Sequence, residues 1–158
     1  MEKKKNLSHV ELAEDATLKG KKIGIVTAEW NPEVTFAMRD AAVELLDRFA
    51  PDSILLAEVP GSFELVNAAH RMLQETDGVI VIGCVIQGET PHFTFISGAV
   101  ANAIALMNQQ SEKPVVFGVL TTNTMEQALE RAGGKHGNKG TEAAAALVKM
   151  LNLKFRKA

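Results

Sequence analysis

The chain has 158 residues, 46% of them hydrophobic and 23% charged, which suits one soluble domain with a sizeable buried core. A formal net charge of −2 excludes a general pull toward nucleic acid or an anionic membrane, so any anion site must be local. Cys84 is the only cysteine, which excludes an intrachain disulfide. No apolar run reaches the length of a membrane span, and the basic start has no apolar signal region behind it, so a reduced, unexported, cytoplasmic protein is expected.

In chain order, residues 1–21 are polar and weakly periodic, and read as an N-terminal arm outside the core. Residues 22–158 read as a single domain. Short β-rich runs at 22–28 (KIGIVTA), 53–59 (SILLAEV), 78–86 (GVIVIGCVI) and 114–121 (PVVFGVLT) alternate with segments of helical period. Val34, Met38, Ala41, Leu45 and Phe49 mark one helical stripe, and Phe93, Ile96, Val100, Ala103 and Met107 another. Strands that are apolar with little alternation belong in a parallel sheet covered on both faces. The expectation is therefore α/β: a three-layer α/β/α sandwich with a four-stranded parallel sheet and right-handed crossovers.

In such a sheet every strand-to-helix turn lies on the carboxyl edge, where open α/β folds bind ligands. The four turns read EWNPE, VPGSFE, GETPH and TTNTMEQ, with Asn31, Ser62, Thr90 and Thr124 placed as helix caps and Gln127 at capping-box spacing from Thr124. Capping alone would account for these residues. A glycine-opened turn into a helix, as at Gly88-Glu89-Thr90, also offers free N–H groups to an anion. His92 follows at once, either as a structural histidine or as a proton-transfer group beside that anion.

Trp30, the only tryptophan, fits either plain core or a flat ring stacked on a heterocycle. Glu64 fits either a helix-dipole partner or an acceptor for a polyol. Arg131 closes a helix expected to stop at Gly133, as a C-terminal charge or as a fork for phosphate. A hinge carrying Lys135, His136 and Lys139 leads to a last helix near Thr141. No spacing of histidines, Cys84 and carboxylates resembles a zinc site, and no metal is expected.

Five motifs in order, AEWN, VPGSFEL, GETPHF, PVVFGVLTTNTMEQALERAG and GKHGNKG, resemble lumazine synthase over about residues 22–151. The resemblance implies a flavodoxin-like fold and the penultimate step of riboflavin biosynthesis. That step condenses 5-amino-6-(D-ribitylamino)uracil with 3,4-dihydroxy-2-butanone 4-phosphate to give 6,7-dimethyl-8-ribityllumazine, without a cofactor. By position, it implies that Trp30, Asn31, Ser62, Phe63, Glu64, Val85, Ile86, Gln87, Phe117 and Lys139 hold the pyrimidine and its ribityl chain. Gly88, Glu89, Thr90 and Arg131 would hold the phosphate, and His92 would transfer protons.

The resemblance further implies small-molecule substrates and a homopentamer, with an icosahedral shell and riboflavin synthase as a partner within its range, and neither nucleic acid nor membrane. The arm before Lys22 resembles a segment that adds a strand to a neighbouring subunit's sheet. Two departures from the family pattern stand out: Gln87 where a basic residue is frequent, and Thr94 where an acidic one is. The competing readings are the archaeal-type riboflavin synthase, a shell or flavin-binding protein without catalysis, and a generic mononucleotide binder of the same fold.

Overall fold

The computed structural model describes residues 10–158. Four parallel strands, β1 (Lys22–Ala28), β2 (Ser53–Val59), β3 (Gly78–Ile86) and β4 (Val115–Thr122), form one sheet in the order β2-β1-β3-β4. Helices α1 (Pro32–Asp47), α2 (Leu65–Met72), α3 (His92–Gln110), α4 (Met125–Leu129) and α5 (Lys139–Leu151) connect or follow them. The expected α/β/α sandwich is the observed one. β1 pairs with β2 from Lys22↔Ser53 to Ala28↔Val59 and with β3 from Ile23↔Gly78 to Thr27↔Ile82, so the three strands end at one edge.

The two faces of the sheet carry separate apolar layers. Ile23, Ile25, Ile80 and Ile82 meet Val34, Met38, Ala42 and Leu46 of α1 and Ala144, Leu147 and Val148 of α5. Val26, Val79, Val81 and Val119 meet Leu65 and Ala69 of α2 and Val100 and Ile104 of α3 on the other face. Alternate side chains of each strand enter opposite layers, which is why the central strands carry no polar face. The expected stripes hold in part: Val34, Met38 and Val100 are fully buried and Leu45, Phe49, Ile96 and Met107 pack against the layers, but Ala42, Leu46 and Ile104 are the further fully buried apolar positions. A 3.6-residue period lets the buried stripe widen by one position once the neighbouring helix is in place.

Part of the segment expected outside the core lies in it. Leu18 is fully buried, Leu12 and Ala16 pack against the same layer, and the Leu18 amide donates to the Phe49 carbonyl at 2.8 Å. Asn152, just past α5, ties this segment down from the other end of the chain. It accepts from the Thr17 amide at 3.2 Å and donates to the Thr17 carbonyl at 3.1 Å. Residues 10–21 form no strand. The rest of the arm proposed to join a neighbour's sheet, residues 1–9, lies outside the described residues.

Where an irregular hinge was expected there is a small antiparallel hairpin, β5 (Ala132–Gly134) with β6 (Gly137–Asn138). Strands of three and two residues are too short to leave a periodic signal. Asn138 then caps α5, its Oδ1 accepting from the Gly140 amide at 2.8 Å, while its Nδ2 donates to the Ala37 carbonyl at 3.3 Å. Among the described residues no helix is long and apolar enough to cross a membrane.

That cap brings α5 against α1 so closely that a Cβ on Gly140 would overlap the Met38 carbonyl. Backbone cannot swing aside as a side chain can. Gly140→Ala should therefore cost about 1–3 kcal/mol, as overpacking does, and lower the urea midpoint at unchanged m-value.

Candidate active site

The chain order of the strands reverses its direction of growth between β1 and β3, and open sheets of this kind bind ligands at such a switch point. A cleft of about 540 Å³ opens there. Trp30 and Asn31 after β1, Ser62, Phe63 and Glu64 after β2, Val85 and Ile86 at the end of β3, and His92 at the start of α3 all line it.

Past the last residues of β1 the backbone continues to pair with the turn after β2. Glu29 donates to the Val59 carbonyl at 2.7 Å and Trp30 to that of Pro60 at 3.1 Å. Trp30 is 64% exposed, which excludes the plain-core reading. Asn31 does not cap α1, contrary to expectation. Its backbone is left-handed (φ 60, ψ 54) instead of the extended form a capping side chain requires, and its Nδ2 donates to the Cys84 carbonyl at 3.0 Å. The residue joins the start of α1 to β3 across the floor of the cleft.

Ser62 is not a cap either. Gly61 is, in extended conformation, with a 3₁₀ turn over Ser62–Glu64, and Glu64 Oε2 accepts from the Gly61 amide at 3.0 Å. The carboxylate is thus held by its own turn. Ser62 is buried beside Gly83, where a Cβ would collide with its Oγ, and its hydroxyl makes no hydrogen bond among the described residues.

At the third turn the expected Thr90 cap is absent. Pro91 stands at that position and α3 begins at His92 without a side-chain cap, so its first amides have no side-chain acceptor. Gly88, Glu89 and Thr90 are exposed beside the cleft rather than lining it. Gln87 braces their turn: its amide donates to the Thr122 carbonyl at 2.9 Å and its Nε2 to the Gly88 carbonyl at 2.8 Å. His92 is exposed and its imidazole has no hydrogen bond among the described residues. Only the fourth turn is capped as expected, with the Gln127 amide donating to Thr124 Oγ1 at 3.2 Å.

Three expected site residues lie elsewhere. Phe117 is half-buried in β4, opposite Val81, packed on the α2 and α3 side of the sheet. Arg131 follows α4 rather than lying in its last turn, is exposed, and has no side-chain partner among the described residues. Its neighbour Glu130 is occupied by Lys135 and, at 3.6 Å, by His136. Lys139 opens α5, with Nζ 3.2 Å from Glu142 Oε2. None of the three lines the cleft.

Two lining residues were not expected. Ile96 is one helical turn beyond His92, a spacing that could have revealed it. Cys84 is the other, its thiol pushed up to about 11 by burial and, secondarily, by the Glu33 carboxylate. Among the described residues no three His, Cys, Asp or Glu side chains converge as a metal site would require.

An exposed indole, a turn-held carboxylate, a buried hydroxyl and an imidazole meet at the switch point of a parallel sheet, the place where doubly wound α/β proteins bind small molecules. The sequence model of the family described as 6,7-dimethyl-8-ribityllumazine synthase matches residues 20–155. The enzyme of that name from Cytophaga hutchinsonii is 50% identical over 93% of this chain and 94% of its own length. That from Bacteroides fragilis is 47% identical over 83% and 94%, and that from Flavobacterium johnsoniae 49% identical over 92% and 79%. The chain belongs to the 6,7-dimethyl-8-ribityllumazine synthase family.

Cys84 gives a direct check on how closed the cleft floor is. With its pKa at about 11, only about one thiol in a thousand is ionised at pH 8. Ellman's reagent should react slowly with the folded protein and rapidly in urea. The raised pKa also has a stability sign: the folded state keeps the thiol's contribution below the ordinary value of 9.0 and loses it as pH rises toward about 11.

Proposed function

We propose that this chain condenses 5-amino-6-(D-ribitylamino)uracil with 3,4-dihydroxy-2-butanone 4-phosphate to 6,7-dimethyl-8-ribityllumazine in the Trp30 to His92 cleft, as the penultimate step of riboflavin biosynthesis. The activity follows from the family. The observation that carries the site is the meeting of residues from three separate turns in one cleft.

The free face of Trp30 stacks on the pyrimidine, with Asn31, Phe63, Val85, Ile86 and Gln87 around it. Ser62 and Glu64 take the ribityl hydroxyls. The uncapped first turn of α3, with Gly88, Glu89 and Thr90, takes the phosphate, favoured by the helix dipole. The aromatic amine adds to the ketone and water leaves to give an imine. Phosphate is then eliminated, and closure of the second ring releases another water. Each step moves a proton near neutral pH, which suits the His92 imidazole, and holding both substrates together lowers the entropic part of the barrier.

Phe117, Arg131 and Lys139 do not line this cleft, and we assign them to the cleft of a neighbouring subunit. Arg131 would bring a bidentate cation to the phosphate. A heterologous, ring-closing contact would meet this arrangement, and we propose a homopentamer, with an icosahedral shell as its further assembly. The charge-free length of α3, which exposes Phe95 and Leu106, supports such a contact. The cytoplasm is the proposed compartment and riboflavin synthase the proposed partner.

Mixed assembly tests the shared site. His92→Ala and Arg131→Ala should each abolish most lumazine formation above the uncatalysed background, Arg131→Ala chiefly by raising KM for the butanone phosphate. Co-refolding the two inactive variants in equal amounts should restore activity at about a quarter of the sites, as random ring assembly predicts. No restoration would place Arg131 in the same subunit's cleft as His92, or outside the site.

A further inference from the structure

We propose that Gly61 is a positioning residue: it is the seat on which the Trp30 ring rests, and it fixes the distance from that ring to the Glu64 carboxylate. The proposal deepens the reading of the cleft as the pyrimidine site and rests on it.

The backbone at Gly61 gives no reason for glycine. With φ −140 and ψ −179 it is extended, a conformation open to any residue. Space does give one. A Cβ there would stand 2.5 Å from both Cε3 and Cζ3 of Trp30, and 3.2 Å from Glu64 Oε2. The ring therefore lies directly on the backbone of the turn that carries the carboxylate.

Two hydrogen bonds hold the same turn together. The Trp30 amide donates to the Pro60 carbonyl at 3.1 Å, and the Gly61 amide to Glu64 Oε2 at 3.0 Å. An indole as exposed as this one, at 64%, would ordinarily sample several rotamers and lose that freedom when a ligand stacks on it. Seated on Gly61, it has the Cε3–Cζ3 side of its six-membered ring against the turn while the indole lines the cleft, before any ligand arrives. A ligand with a planar ring at one end and a polyol at the other meets both groups at a preset spacing.

Gly61→Ala tests this, because its extended backbone leaves the variant able to fold. The expected result is a rise of about tenfold in KM for the pyrimidine, with KM for the butanone phosphate unchanged. In a Trp30→Ala background the same substitution should cost much less, since there is no ring to displace and the 3.2 Å approach to Glu64 Oε2 asks for only a few tenths of an ångström of give. An equal penalty in that background, or no penalty in Gly61→Ala alone, overturns the proposal. Trp30→Ala with wild-type KM for the pyrimidine would instead overturn the reading of the cleft itself.

Should Gly61→Ala not fold, the wild type still decides. Trp30 is the only tryptophan and there is no tyrosine, so intrinsic fluorescence reports this ring with little other contribution. Time-resolved anisotropy of the substrate-free protein should show a ring that turns with the whole molecule. A dominant fast component would mean a loose ring and no seat.

Discussion

Parallel pairing of β1 with both β2 and β3 is the constraint on which the site depends. Strands running the same way must send the chain back across a face of the sheet, so every turn that leaves a strand lies at the same edge. The order β2-β1-β3-β4 then parts two of these turns at the β1/β3 boundary and opens a space between them. Residues more than sixty positions apart, Trp30 and His92, share a cleft as a result. The side chains that line the cleft are local additions to a geometry fixed by hydrogen bonding and chain direction.

The sheet was legible because burial on both faces leaves a plain mark, an apolar run bounded by turns. Three strand spans agree with the structure, and the fourth is displaced by one residue. The helical stripes were less legible. Ala41 and Ala42, or Leu45 and Leu46, fit the period equally well until α5 is packed against α1. The β5 and β6 hairpin left no periodic trace, and Leu18 was hidden in a polar segment whose one buried residue is recognised only by the layer that receives it.

The turns are the instructive case. Composition identified them, yet of four residues expected as caps only Thr124 serves as one. Asn31 reaches across to β3, Ser62 gives its place to the Gly61 and Glu64 pair, and Thr90 leaves α3 uncapped. A cap satisfies a helix and occupies the groups a ligand would use. At three of the four turns those groups are spent on tertiary ties or left without side-chain partners, and these three border the cleft. Phe117, Arg131 and Lys139 do not line the cleft of their own chain, and only the proposed ring would bring them to one.

The Asn152 tie to Thr17 has a practical consequence. It joins segments from the two halves of the chain through a pair of hydrogen bonds, with Lys154 and Asp15 3.0 Å apart beside them. A short flexible loop joining the chain at Asp15 and Lys154 would span little distance, so the order of the elements along the polypeptide can be rewritten while their places in space are kept. New ends cut into an exposed turn at the amino edge of the sheet would leave the cleft untouched. Cargo genetically attached near Asp15 or near Lys154 would, for the same reason, leave the subunit from one region of its surface.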